Sequence, residues 1–407
     1  MKKQRRVDTT LTHAGRNALA SQGAVNIPPF RASTVLFDTI SGLRTWDTDF
    51  RAFHYGRIGT PGSQALEEAY AELEGADRAI AVSCGLAAIN ISISAFVQAG
   101  DHILVTAGAY DPAITFCRSH LGRFGVEIET YPPEIGANIE ALIRPNTRVV
   151  YLESPSSMTF EIQDIPAIVS AVAKQSAKPD NRIVTILDNT WATPLNLRPL
   201  DLGVDIVVQA ATKYLVGHAD AMLGIIACSN TDFPAIKSET LYQGVNAGSE
   251  EVYLGLRGLR TLSVRMERQF ASALKIAQWL QQRPEVARVL FPPLPGAPGH
   301  DLWQRDFTGG SSLMGIVLNT GYAVEAVNAM LDGMQLFAMG FSWGGYESLL
   351  IGGRPQRGRT PDVYAGFGPA MRLYTGLEDV DELIADLESG FNRLSQFEPG
   401  TNAEKDK

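Results

Sequence analysis

RIVTILDNTWATPLNLRPLDLGVDIVVQAATKYLVGHADAMLGIIA, residues 182–227, decides the fold class. Three apolar runs stand in it, at 182–187, 205–209 and 224–227. Each is short and nearly continuous in Val, Ile and Leu, which is how strands covered on both faces read. Two of the runs stop at polar groups: Asp188-Asn189-Thr190-Trp191 after the first, Ala211-Thr212-Lys213-Tyr214 after the second.

The same grammar continues upstream. Residues 79–82 form an apolar run followed by Ser83-Cys84-Gly85 and a helical pattern of Leu86, Ile89, Ile93 and Val97. Further runs lie at 102–106, which leads into Ala107-Gly108-Ala109-Tyr110, and at 148–152. Strands alternating with helical patterns predict an α/β fold with a doubly wound, mostly parallel sheet. Residues 1–60 show no sustained period and read as an arm. The large domain is expected over 61–255. A smaller C-terminal α+β domain is expected over 256–396, with a helix at 266–282, strands at 314–318 and 336–339, and a final helix from Asp379. The polar tail 397–407 is expected to be mobile.

Composition narrows the class of function. The chain has 407 residues, 35 Lys+Arg against 44 Asp+Glu, and a formal charge of −9. That lacks the basic surplus of a nucleic-acid footprint. A 45% hydrophobic and 19% charged composition is that of a globular protein. The basic run Lys2-Lys3-Gln4-Arg5-Arg6 is not followed by an apolar stretch of signal-peptide length, and no run is long enough to span a membrane. Cys84, Cys117 and Cys228 include no CxxC and are odd in number, against both a disulfide framework and a zinc site. A reducing cytoplasm is the expected location.

Ligands of open α/β sheets sit beyond the carboxyl ends of the strands. There the sequence puts an amine (Lys213), a carboxylate (Asp188), an aromatic face (Tyr110) and a helix start (Ser83-Cys84-Gly85). Pyridoxal phosphate needs these four: an amine for a Schiff base, an acid to keep its ring nitrogen protonated, a flat partner, and N–H groups for its phosphate. Each residue alone has a plainer reading, as loop lysine, turn cap, packing ring or ordinary βα turn. Their conjunction at one sheet edge favours the cofactor.

QAATKYLVGHADAMLG (209–224) resembles the lysine signature of the Cys/Met-metabolism family of fold-type I pyridoxal-phosphate enzymes. DTTLTHAGR (8–16), HYGRIGTPG (54–62), VSCGLAAI (82–89), GAYDP (108–112), LDNTWATP (187–194), RGLRTL (257–262) and LYTGLEDVDELIADLE (373–388) are similar to the family as well. LESPSSMTFEIQDIPAIV (152–169), RDFTGGSSL (305–313) and FSWGGYESL (341–349) resemble the bacterial cystathionine β-lyase branch. The resemblance implies that Lys213 bonds to the cofactor and then acts as acid and base. It implies that Asp188 pairs with the ring nitrogen, Tyr110 stacks on the ring and takes part in the chemistry, and Gly85, Leu86 and Thr212 hold the phosphate. Tyr55 and Arg57 would reach the phosphate of a neighbouring subunit, in a homotetramer built from dimers that share active sites. Arg372 would clamp the substrate carboxylate, with Ser342 and Trp343 at the border of the pocket. Ala210 and Ala219 depart from the family pattern, which places Ser at both. The implied reaction is β-elimination of L-cystathionine to homocysteine, pyruvate and ammonia, with no nucleic-acid or membrane partner. A β-lyase for another cysteine conjugate, or a γ-acting member, remains the alternative.

Overall fold

Aliphatic side chains alternate across a pleated strand, so a run that is apolar at every position must find a core on each side. The computed structural model, which describes residues 5–17, 19, 21–44, 53–176, 182–353 and 366–397, supplies both cores. Seven strands, β1 Arg78–Val82, β2 His102–Thr106, β3 Glu127–Tyr131, β4 Thr147–Glu153, β5 Val184–Asp188, β6 Ile206–Gln209 and β7 Gly224–Cys228, form one sheet in the order β1-β7-β6-β5-β4-β2-β3. β2 pairs in parallel with β3 and β4, β4 with β5, and β5 with β6. β7 runs antiparallel between β6 and β1. The carboxyl ends of β1, β2, β4, β5 and β6 therefore share one edge. Leu104, Val150, Leu152, Leu187 and Val207 enter the core on one face. Ile103, Val105, Val149, Ile186 and Val208 enter a second core on the other, against Ile89, Ile91 and Ile93 of the Gly85–Ser94 helix. Each such burial contributes about 1.5–3 kcal/mol.

A second, antiparallel sheet has the order β10-β11-β9-β8, with β8 Val286–Leu290, β9 Leu313–Leu318, β10 Leu349–Gly353 and β11 Ala370–Tyr374. Met314, Ile316 and Leu373 from it join the first core, together with the helices Leu262–Leu280 and Val380–Leu394. The helix expected at 266–282 thus starts a turn earlier. The strand expected at 336–339 is not one. The N–H groups of Gln335, Leu336 and Phe337 all donate to the Asp386 carboxylate, and only an isolated bridge joins Ala338 to Leu349. β3, β8, β10 and β11 were not anticipated. Within 1–60, Val7–His13 and Ile40–Leu43 are short helices. Arg260 ties the first to the body by donating to the Leu11 and Ala14 carbonyls. Beyond Phe397 the expected tail lies outside the described residues. No described helix is long and apolar enough to cross a membrane.

Candidate active site

Asp188 is the last residue of β5 and only 7% exposed. Its Oδ1 accepts the Thr190 N–H at 2.9 Å, and the Thr190 hydroxyl in turn accepts the Ala210 N–H at 2.8 Å. One threonine thus joins the ends of β5 and β6. Beside Asp188 in the sheet stands Glu153, the last residue of β4, whose Oε2 accepts the Tyr110 N–H at 2.7 Å. Burial pushes both carboxyls up. Glu153 rises well above the carboxylate range, with Asp188 adding to the push, whereas Thr190 and Lys213 oppose the rise at Asp188. Glu153 was not singled out from sequence; its signal is its place at a strand end level with Asp188.

Lys213 sits in the turn after β6. Its Nζ donates to Ser342 Oγ at 2.7 Å and lies 4.8 Å from the centre of the Trp343 ring. Burial, then the Arg372 charge, lowers its pKa to about 8, against the opposing pull of Asp188. Arg372, on β11, donates from Nη2 to the Ser342 carbonyl at 3.1 Å. Ser342 is held at φ +76°, a strained backbone for a residue with a side chain. Tyr110 is 46% exposed, and burial of its remainder raises its phenol, followed by the Glu153 charge.

The β1 turn supplies the anion end. Cys84 caps the Gly85–Ser94 helix, its Sγ accepting the Ala87 N–H at 3.4 Å. The N–H groups of Gly85 and Leu86 belong to the first turn and have no intrahelical acceptor. A Cβ on Gly85 would stand 2.5 Å from the Ala210 Cβ, so the two turns meet at a position only glycine fits. The Thr212 hydroxyl already donates to the Leu223 carbonyl and accepts its N–H, at 3.1 and 2.8 Å.

The fold therefore brings Lys213, Asp188, Tyr110, Arg372, Ser342 and Trp343 into one neighbourhood, next to the Gly85 turn. Tyr55 and Arg57 are elsewhere within the chain. They line a cavity of about 270 Å³ with Phe30, Glu67 and Lys237, whose walls include none of the six. A buried acid at one end, an amine half-neutral near pH 8 in the middle and a glycine cradle at a helix start fit pyridoxal phosphate.

The fold and this donor set define a pyridoxal-phosphate enzyme of fold type I. Residues 8–392 match the family model of Cys/Met metabolism PLP-dependent enzymes, and the chain belongs to that family. Its cofactor is pyridoxal phosphate. The chain is 43% identical over 395 residues to the cystathionine beta-lyase MetC of Escherichia coli (strain K12), covering 96% of this chain and 99% of the relative. It is 45% identical over 392 residues to a putative cystathionine beta-lyase of Rhizobium johnstonii, 96% of each chain. Among solved structures, cystathionine gamma synthase from Xanthomonas oryzae pv. oryzae superposes with a TM-score of 0.88 at 28% identity, covering 97% of this chain and 100% of the other.

Proposed function

We propose that the protein breaks the Cβ–S bond of L-cystathionine, taking up one water and releasing homocysteine, pyruvate and ammonia. The observation that carries this reading is the meeting of Lys213 and Arg372 on a single residue, Ser342. It puts a base beside a carboxylate clamp, where the Cα of an amino acid would lie. When bound, pyridoxal phosphate supplies a sink for the electron pair left at Cα. Lys213 would hold it in the resting protein, Asp188 would keep its ring nitrogen protonated and Tyr110 would offer its ring a flat partner. Gly85 and Leu86 offer N–H groups to the phosphate; Thr212 would give up its bond to the Leu223 carbonyl to do the same. Arg372 takes the substrate α-carboxylate through both arms of its fork. Ser342 and Trp343 border the substrate. Lys213 Nζ removes the Cα proton and returns a proton to the departing sulfur, with the Tyr110 hydroxyl as the second donor in reach of the pocket.

Tyr55 and Arg57 act on the phosphate of a second subunit, in a dimer that shares its sites and pairs into a tetramer. The support is that both line a cavity apart from the chain's own Lys213. We place the protein in the cytoplasm, in keeping with three free thiols. The second reading, γ-elimination or γ-replacement, is favoured by the fold shared with a γ-synthase. Incubation with L-cystathionine and assay of the keto acid separates them. Pyruvate is expected; 2-oxobutyrate would move the enzyme to the γ-acting reading. Pyruvate only from other cysteine conjugates would change the substrate and keep the reaction.

A further inference from the structure

Lys213 is held from behind by residues outside the reaction. It begins a turn in which the Gly217 N–H donates to the Lys213 carbonyl at 2.8 Å. A Cβ on Gly258 would lie 2.3 Å from the Leu215 and Val216 oxygens, and one on Gly217 (φ +75°) would lie 2.0 Å from Arg265 Nη1. Arg265, on the Leu262–Leu280 helix, is 5% exposed. It donates to the carbonyls of Tyr214 (2.7 Å), Leu215 (3.3 Å) and Gly258 (2.8 Å), and to the Thr261 hydroxyl (3.1 Å). All four acceptors are neutral. Burial lowers its pKa only to about 10, so it stays a guanidinium.

One helical turn further, Gln269 is fully buried. Its Nε2 donates to the Gly345 carbonyl at 2.7 Å and to the Tyr374 hydroxyl at 2.8 Å, and that hydroxyl donates to the same carbonyl at 2.6 Å. Its Oε1 has no hydrogen-bond partner among the described residues. Gly344 (φ +93°) rests so close on the lysine turn that a Cβ there would be 2.7 Å from the Lys213 Cα. The loop carrying Ser342 and Trp343 is thus seated on Lys213 and tethered by Gln269. An unpaired buried cation and a half-satisfied buried amide cost stability. The other buried residues of this helix are Leu262, Met266, Ser272, Ala273, Ile276, Ala277 and Leu280, all small or apolar, so packing alone does not call for a guanidinium and a long amide.

We propose that Arg265 and Gln269, at i and i+4 on one helix, are positioning residues: Arg265 holds the lysine turn, Gln269 holds the 341–345 loop, and their spacing sets the contact between Lys213 Nζ and Ser342 Oγ. The reaction served rests on the β-lyase reading; the geometry does not.

Gln269→Met keeps the shape and removes both donations. Arg265→Lys keeps the charge and removes the fork. Three quantities are measured: Tm; kcat and KM for pyruvate release from L-cystathionine; and the pH dependence of pyridoxal-phosphate uptake by the full chain stripped of cofactor, followed by visible absorption. Asp188, Arg372 and Tyr110, the titratable groups around Lys213, are unchanged in both variants. Expected are a Tm within a few degrees of wild type, a nearly unchanged KM, and a kcat roughly ten- to a hundredfold lower. The uptake midpoint should move to higher pH, because a loosened loop lets water reach the lysine. Wild-type kcat per bound cofactor together with a wild-type uptake profile would overturn the proposal. So would a loss of activity that only tracks the loss of folded protein. If Arg265→Lys does not fold, Gln269→Met decides alone. If the wild-type protein releases no pyruvate, the β-lyase reading fails while the uptake profile still tests the positioning.

Discussion

A lysine is a base only when neutral, and burial beside Arg372 brings Lys213 to that state at about pH 8. The sign is that of an amine whose charged form is disfavoured: below the midpoint Nζ is an ammonium and unreactive. Cofactor uptake by the stripped wild-type chain should accordingly accelerate with pH and reach half its maximum near 8. Lys213→Ala should lower pyruvate release by at least about 10²–10⁴-fold and abolish the visible band of the bound cofactor. Residual turnover near the wild-type rate would remove Lys213 from the chemistry. Arg372→Lys keeps a cation but loses the fork, and KM should rise roughly ten- to a hundredfold with a smaller change in kcat. Steady-state kinetics read the split directly. Lys213, Asp188 and Tyr110 were legible as residues because each follows an apolar run, whereas Arg372, inside β11, came only from the family resemblance. Arg265 and Gln269 were not legible: they act through the groups they touch across the fold, and nothing in their local sequence marks such contacts. Glu153 follows the 148–152 run and carried the same strand-end signal, but it was not singled out.

Among the elements, the turn between β1 and the Gly85–Ser94 helix is the least forgiving. Gly85→Ala would drive a Cβ to within 2.5 Å of the Ala210 Cβ, so one of the two turns must move. Cofactor affinity should fall by roughly tenfold or more, about 1.4 kcal/mol or above. Titration of the stripped protein with pyridoxal phosphate measures this, and an unchanged affinity would argue against a phosphate site there. Strands β2, β4, β5, β6 and β7 were readable because each is buried on both faces and apolar nearly throughout. β3 reads EIETY and lies at the sheet edge, where its polar residues face solvent and hide the run. β8 and β11 carry Arg288 and Arg372 inside short segments, which broke their apolar pattern. The 336–339 segment failed for a different reason. Its strand-like composition is real, but one carboxylate, Asp386, captures the N–H groups a ladder would have used.

At the scale of the whole molecule, a shared site makes a distinctive prediction. Arg57→Ala and Lys213→Ala chains should each be nearly inactive. A mixed dimer contains one site with both residues intact, so refolding the two together should restore roughly a quarter of wild-type activity if subunits mix freely. No recovery would confine each site to its own chain. Stability offers a second test. Glu74 is fully buried, neither carboxyl oxygen has a hydrogen bond within normal distance among the described residues, and burial raises its carboxyl well above the usual range against weaker pulls from Arg198 and Asn189. Such an acid binds its proton more tightly folded than unfolded. Stability is greatest below the ordinary carboxylate value and declines as pH rises above it. Glu74→Gln removes that ionisation. Its Tm should exceed the wild type's in neutral and mildly alkaline buffer, with the gap narrowing as pH falls. A constant gap would mean that Glu74 does not titrate.

The sequence by itself determined the doubly wound sheet, the edge at which its strands end, and the amine, acid and ring found there. It could do so because strand burial and strand-end chemistry are written in runs of neighbouring residues. Only the tertiary structure decided that Lys213 and Arg372 meet on Ser342, that Glu153 stands beside Asp188, and that Arg265 and Gln269 brace the turn and loop between them. These contacts join positions far apart in the chain, and long-range packing brings them together.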